Sequence, residues 1–238
     1  ANLEHIGEAI YKNGVWAEVI ENRKFCGPDK LIWENGLNDD HLDFGIIKPW
    51  KGCNPSAQHV MYAHSNSEYI VKGEEQINRF GSGKQSQQIT IRKKSKTNRG
   101  IKQSINVNFI NEEHKFSIML KGAGQKVYIQ IGELNFVIKS HTKWFEFKKN
   151  IKFNDLKTKK TLSITINSDE IYIANCSLMP KNTIFGFRKD VTKLIQQWLP
   201  SYIRWPGGNY LSGYNWFNGV GNKNYRLPFY DYAWYEWE

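Results

Sequence analysis

Cysteine, methionine and proline are scarce in this 238-residue chain, with 3 Cys, 3 Met and 7 Pro. Cys26, Cys53 and Cys176 are odd in number and far apart, so neither a disulfide framework nor a metal-ligand cluster can be read from their spacing. The histidines His5, His41, His59, His64, His114 and His141 show no His-Glu-x-x-His arrangement, which argues against a metal site. No apolar run reaches the roughly 20 residues that span a bilayer, so no membrane partner is expected. Gly81-Ser82-Gly83-Lys84 lacks both the spacing and the following helix of a phosphate loop and reads as a turn. No signal-peptide pattern follows Ala1, and the missing initiator Met raises the expectation that residues precede it; the compartment stays open.

Aromatic residues and basic charge are abundant. Nine Trp, twelve Tyr and 14% aromatic content suit a protein that stacks flat ligands or sugar rings. The net charge of +10 is concentrated: residues 84–160 hold 18 Lys+Arg against 5 Asp+Glu, or +13, leaving −3 elsewhere. Such a bias fits an anionic polymer. It equally fits lysines alternating with apolar residues on the solvent faces of strands, where they guard edges. The segment contains neither an RNA-recognition motif nor a recognition helix, so the second reading is preferred and no nucleic-acid partner is expected.

The period of the apolar residues changes along the chain. Val15, Val19 and Ile20 within residues 14–24 have helical spacing and predict a short helix or helical turn. Between Cys26 and about Ser82, Gly, Pro, Asn, Asp and Trp dominate without a period, which predicts loops and irregular edge strands. From Gln87 onward the period is two: Ile89/Ile91, Ile105/Val107/Phe109, Phe116/Ile118/Leu120, Val127/Ile129/Ile131, Phe136/Ile138, Phe145/Phe147, Leu162/Ile164/Ile166 and Ile171/Ile173. Eight short alternating runs with polar breaks predict an antiparallel, jelly-roll-like β-sandwich. After Met179-Pro180, Asp190 is placed to cap a helix with Val191, Leu194, Ile195 and Trp198 on one stripe, ended by Pro200; a strand into Arg204 is expected next. The sandwich therefore reads as an insertion between two pieces of an α/β domain, which requires its ends to lie close together and would bring Cys26 near Cys176.

Both flanks resemble one family. Glu4-His5-Ile6-Gly7-Glu8-Ala9-Ile10-Tyr11, Trp16-Ala17-Glu18 and Glu21-Asn22-Arg23-Lys24-Phe25 resemble the first strand end of family 51 glycoside hydrolases, the α-L-arabinofuranosidases. Gly186-Phe187-Arg188-Lys189-Asp190-Val191, Arg204-Trp205-Pro206-Gly207-Gly208-Asn209, Ser212-Gly213-Tyr214-Asn215-Trp216, Asn218-Gly219-Val220-Gly221, Arg226-Leu227-Pro228 and Ala233-Trp234 follow that family's order and spacing. The stretch between is similar to the carbohydrate-binding-type module that some members carry there. The resemblance implies the start of a (β/α)8 TIM barrel, incomplete in this chain. Its parts are a first strand-helix segment (1–25), an inserted β-sandwich (26–178), and a helix with the second strand and loop (179–238). It also implies release of terminal α-L-arabinofuranosyl groups from arabinan or arabinoxylan with retention, using two carboxyl groups. In the family both are glutamates after later barrel strands, so no catalytic residue is expected within this chain.

What carries over is substrate binding. Glu4 matches the strand-end glutamate that accepts bonds from sugar hydroxyls. Arg204 matches the arginine that supports the nucleophile, although a strand-end ion pair would use the same fork. Asn209 matches the position that reaches the sugar, where some members carry cysteine, and Trp234 matches an aromatic wall against the furanose ring. Without the family, Trp234 among Tyr230, Tyr232, Tyr235 and Trp237 reads equally as core or interface. Glu236 and Glu238, two apart, point alike on an extended chain rather than facing each other across a substrate. The implied partner is an arabinose-containing plant polysaccharide or oligosaccharide, with no cofactor and with an oligomer compatible with the full-length enzyme.

Overall fold

Alternation of β-branched residues with polar ones leaves a chain only one way to bury half its side chains, by standing as strands over a shared core. The computed structural model of the chain describes residues 10, 14–25, 42–66, 85–221, 224, 226, 230–231 and 236–237. Seven of the eight expected runs fall on strands, and the eighth, Ile105/Val107/Phe109, starts on β4 and passes beyond its end: β3 (Gln85–Ile91), β4 (Arg99–Asn106), β5 (His114–Gly122), β6 (Lys126–Ile131), β7 (Leu134–Lys139), β8 (Phe145–Ile151), β9 (Lys159–Ile166) and β10 (Glu170–Pro180). Two further strands precede them, β1 (Lys51–Cys53) and β2 (Val60–Asn66).

The strands form two five-stranded antiparallel sheets, ordered β1-β4-β9-β6-β7 and β2-β3-β10-β5-β8. Without β1 and β2, the pairings β4-β9-β6-β7 and β3-β10-β5-β8 are those of an eight-stranded jelly roll, as the sequence predicts. β1 and β2 are added at the outside of one sheet each, in keeping with the irregular edge strands expected before Ser82. One core fills the space between the sheets: Ile118, Leu120, Ile171 and Ile173 from one sheet meet Ile101, Ile129, Leu162 and Ile164 from the other, all essentially inaccessible. Gly100 sits where β4 and β9 approach closely, since a Cβ there would lie 2.0 Å from the Ile164 carbonyl oxygen.

The segment before the sandwich departs from expectation. Residues 14–24 are not helical: they run extended through Trp16–Val19 and turn at 21–24. The spacing of Val15, Val19 and Ile20 reflects packing, because Val19, Ile20 and Phe25 enter the sandwich core. Phe25 stacks on Trp50 at 5.0 Å between ring centroids, and both are fully buried. The core thus reaches back across the boundary expected at residue 26. Two buried glutamines fasten loops to it. Gln103 accepts from the Glu21 N–H and donates to the Glu21 carbonyl, and Gln87 accepts from the Ile47 N–H while donating to the Gly45 and Ala63 carbonyls.

Beyond β10 a tight hairpin, β11 (Thr183–Ile184) and β12 (Phe187–Arg188), leads into α1 (Lys189–Gln197). Phe185 and Gly186 both have positive φ, as two-residue primed turns require. A Cβ on Gly186 would meet the Trp16 ring at 2.6 Å, so only glycine admits that indole. The α1 helix ends before Pro200 as expected, but Asp190 does not cap it: Arg188 holds the N-cap position, and Asp190 in the first turn pairs with the Arg188 guanidinium at 2.7 Å. No residue of α1 is buried, and Leu194 and Trp198 on its apolar stripe are 63% and 78% exposed. Past α1, Arg204 takes part in an isolated bridge rather than a strand. Two 3-10 turns (Gly208–Ser212 and Trp216–Gly219) and the short strands β13 (Tyr230–Asp231) and β14 (Glu236–Trp237) follow.

Candidate functional site

Of the four sugar-binding positions carried over from the family, Glu4 and Trp234 lie outside the described residues. Arg204 is exposed, and Asn209 lies within the 3-10 turn at 208–212, where Gly208 has a φ of +61°. The same turn buries Tyr210, whose ring packs 4.9 Å from Tyr214. Arg204 and Asn209 thus share one loop. The described residues do not bring the four positions together.

What the structure does bring together is the two flanks. The Ala17 N–H donates to the Gly186 carbonyl at 3.0 Å and the Arg188 N–H to the Val15 carbonyl at 2.8 Å, while Trp16 meets Phe187 edge to face at 5.7 Å. The Val19 N–H donates to the Leu178 carbonyl and the Cys176 N–H to the Arg23 carbonyl, so the two ends of the sandwich run side by side. Cys26 lies outside the described residues. Cys176 is wholly buried, and that burial pushes its thiol well above the ordinary range, with the Glu18 charge adding to the rise and Arg23 opposing it.

Glu18 holds the seam. Its carboxylate is almost fully buried and accepts from the Leu178 N–H at 2.8 Å, the Ile20 N–H at 3.2 Å and the Ser177 hydroxyl at 2.5 Å, with the Arg23 Nε at 3.3 Å. A carboxylate so surrounded is occupied as an anchor rather than available as an acid or base. Arg23 and Lys24 reach onward to the Asn224 side chain and the Arg226 carbonyl, at 2.8 and 2.6 Å.

A cleft of about 270 Å³ opens between the end of the sandwich and α1, lined in part by Phe109, Glu112, Asn182, Arg188 and Lys193. Arg188 lies 5.4 Å over the Phe109 ring and holds the Asp190 carboxyl below its usual range by donating to it. Lys189 donates to Asn182, and Lys181 pairs with Glu113 at 2.7 Å. Of the charges that line the cleft, Arg188 and Asp190 pair with each other. Among the described residues no group of three or more His, Cys, Asp or Glu is arranged to hold a metal ion.

Sequence reasoning passed over a second constellation, on the outward face of the β2-β3-β10-β5-β8 sheet. Gln88, Tyr172 and Lys121 form one cross-strand row and Thr90 and Glu170 the next. The Glu170 carboxylate accepts from the Gln88 amide and, at 3.2 Å, from the Thr90 hydroxyl. Tyr172 is half-buried, and burial together with its hydrogen bond to Glu170 pushes its phenol up to about 12. Lys121 Nζ sits 5.4 Å from the Tyr172 ring centroid. Two residues along the same strands, Trp144 packs on Met119 and Ala174, which puts a second aromatic side chain on this face of the sheet. Aromatic faces next to an oriented carboxylate and amide are the groups that grip a polyol ring, C–H face to π face and hydroxyl to acceptor. The signal was present in the alternation: Tyr172 falls between Ile171 and Ile173, and so faces outward.

No protein-family model matches the chain. Over 49 residues, 21% of this chain, it is 51% identical to an intracellular exo-alpha-(1->5)-L-arabinofuranosidase of Halalkalibacterium halodurans. It is 55% identical over 49 residues to the intracellular exo-alpha-(1->5)-L-arabinofuranosidase 1 of Bacillus subtilis, and 47% identical over 53 residues to an exo-alpha-(1->6)-L-arabinofuranosidase of Bifidobacterium longum. Each match spans about a tenth of the relative's own length. Among solved structures the chain is similar to the TmCBM61 module in complex with beta-1,4-galactotriose (TM-score 0.41, 10% identity, 69% of this chain and 99% of that one). It is also similar to the C-terminal family 22 carbohydrate-binding module of Clostridium thermocellum Xyn10B (TM-score 0.39, 12% identity, 66% of this chain and 99% of that one). A short segment thus relates the chain to glycoside hydrolases named as arabinofuranosidases, while most of its residues build a β-sandwich.

Proposed function

We propose that this chain is the N-terminal part of a retaining α-L-arabinofuranosidase of family 51, the start of a (β/α)8 barrel interrupted by a carbohydrate-binding β-sandwich. The observation that carries the reading is the 49-residue segment at 51–55% identity to arabinofuranosidases. The pairing of residues 15–17 with 186–188 supports it, because two segments about 170 positions apart meet as neighbouring parts of one unit. In this reading Glu4, Arg204, Asn209 and Trp234 line the sugar pocket, and the two catalytic glutamates that retaining hydrolysis needs are not among the residues of this chain. The sandwich, inserted in a strand-to-helix connection, stands beside the active face and holds polymeric arabinan or arabinoxylan.

Calorimetric titration with arabino-oligosaccharides, alongside an assay for arabinose release from 4-nitrophenyl α-L-arabinofuranoside, tests this. Binding without turnover by the 238-residue chain is expected. Turnover by this chain would contradict the assignment of the catalytic pair, and absence of binding would contradict the pocket and the sandwich together.

A second reading, a non-catalytic carbohydrate-binding protein, is favoured by the Tyr172, Trp144 and Glu170 corner. Under it, Tyr172→Ala lowers affinity for arabino-oligosaccharide about tenfold, the scale of removing one aromatic stacking platform, while Arg204→Ala leaves it unchanged. The opposite pattern supports the barrel pocket.

A further inference from the structure

The two sheets carry their charge differently. On the β2-β3-β10-β5-β8 sheet both signs are interspersed, with Lys148 paired to Glu146 at 2.8 Å and Glu170 set among Gln88 and Thr90. On the outward face of the β1-β4-β9-β6-β7 sheet, Lys51 stands directly opposite Lys102, and Lys126 directly opposite Lys139. All four are exposed, and among the described residues none lies within ion-pairing distance of a carboxylate. The nearby acids are engaged elsewhere: Glu133 on Lys160 at 3.3 Å, and Asp43 on the Gly52 N–H at 2.9 Å.

Like charges directly opposite on neighbouring strands destabilise a sheet. Edge protection accounts for lysine on β1 and β7, the outer strands. It does not account for Lys102 and Lys126, which lie on interior strands. Between the two pairs the surface is low and polar: Ser163 lies beside Lys102 and Gln130, and Gly100 and Thr165 lead to Tyr128. Strand spacing and rise put the pairs about 20 Å apart across this track, a span that only a chain of several linked rings covers.

We propose that this face binds a carboxylate-bearing polysaccharide, a uronic-acid-containing polymer lying across the sheet with its anionic groups on the Lys51/Lys102 and Lys126/Lys139 pairs. The choice of a glycan as the polymer rests on the carbohydrate-directed reading above, and the face is separate from the Tyr172 corner on the other sheet. Two exposed lysine pairs, with the exposed Gln130 amide between them over buried Ser163 and Thr165, match a polyanion that carries hydrogen-bonding groups along its length. Duplex DNA, a stiffer and denser polyanion, has no groove-entering element to meet it here.

Affinity electrophoresis of the 238-residue chain in gels containing polygalacturonate, neutral linear arabinan or duplex DNA tests the proposal, alongside the K51Q/K102Q/K126Q/K139Q variant. The expected result is salt-sensitive retardation by polygalacturonate that weakens about tenfold in the quadruple variant, the scale of removing several exposed ion pairs at once, with any retardation by arabinan unchanged. Removing the repulsion should leave the variant's Tm equal to or above that of the parent, so that weaker binding reports the face rather than unfolding. No retardation by polygalacturonate at low salt overturns the proposal, as does equal retardation of the variant, or retention by DNA as strong as by polygalacturonate. Arabino-oligosaccharide titration of the same variant separates the two ideas, because neutral-sugar binding should survive the loss of the lysines.

Discussion

The sandwich and the segment that follows it treat their apolar residues in opposite ways. Ile118, Leu120, Ile129, Leu162 and Ile164 are sealed between two sheets, whereas Phe185, Trp198, Leu199, Tyr202 and Trp216 are exposed by 95, 78, 84, 71 and 60%. The first region completes its own core. The second presents an amphipathic helix and an aromatic loop whose apolar faces meet solvent, so the sandwich core does not contribute to holding them.

Truncation mutants should separate the two regions most sharply. Ile164→Ala or Phe116→Ala removes a fully buried side chain and should lower unfolding free energy by about 3–5 kcal/mol in urea titrations. Leu194→Ala or Trp198→Ala should change it by less than about 0.5 kcal/mol. A large loss from Trp198→Ala would show that the helix already belongs to the cooperative core. Glu18→Ala comes next: leaving Arg23 and three donors at the seam without their carboxylate should cost about 3 kcal/mol. A near-neutral Glu18→Ala would mean that the flanks are not held by this anchor.

Acid should act on the sandwich through His114. Its ring is fully buried, its Nδ1 faces the Glu112 carbonyl at 3.0 Å, its Nε2 has no hydrogen-bond partner among the described residues, and its edge meets Phe153. Burial lowers its proton affinity, so the unfolded chain takes up the proton first. Stability from this site is therefore complete above the ordinary histidine range, about 6.5, and is lost as pH falls below it. Thermal unfolding between pH 8 and pH 5 should show a decline that His114→Phe reduces; an unchanged slope in the variant would contradict this. The smallest effect belongs to the exposed stripe: Leu194→Lys with Trp198→Lys should leave Tm almost unchanged while reducing self-association seen by light scattering. Unaltered association would place the sticky surface elsewhere.

How legible each region was follows the same division. The eight runs were readable because burying one face while the other meets solvent imposes a strict period of two on residues such as Val127, Ile129 and Ile131. β1 and β2 were legible only as irregular edge strands without bounds, since an edge strand of Lys51-Gly52-Cys53 is specified by one neighbour and by Asp43, and shows no period. Residues 14–24 misled because Val19 and Ile20 face a core made of strands far along the chain, so their spacing records where that core lies rather than a helical turn. Glu18 was unrecognisable as an anchor because its partners Ser177 and Leu178 are about 160 positions away. Tyr172 and Glu170 were legible as outward-facing, but their meeting with Gln88, Thr90 and Trp144 depends on a strand order that no local pattern carries.

Hydrogen–deuterium exchange read by peptide mass spectrometry tests the contrast between the two regions most directly. Amides of β3–β10 should exchange only through global unfolding, and those of residues 189–221 should exchange orders of magnitude faster, through local opening. Equal protection across both regions would contradict the view that the sandwich completes its own core and the following segment lies outside it.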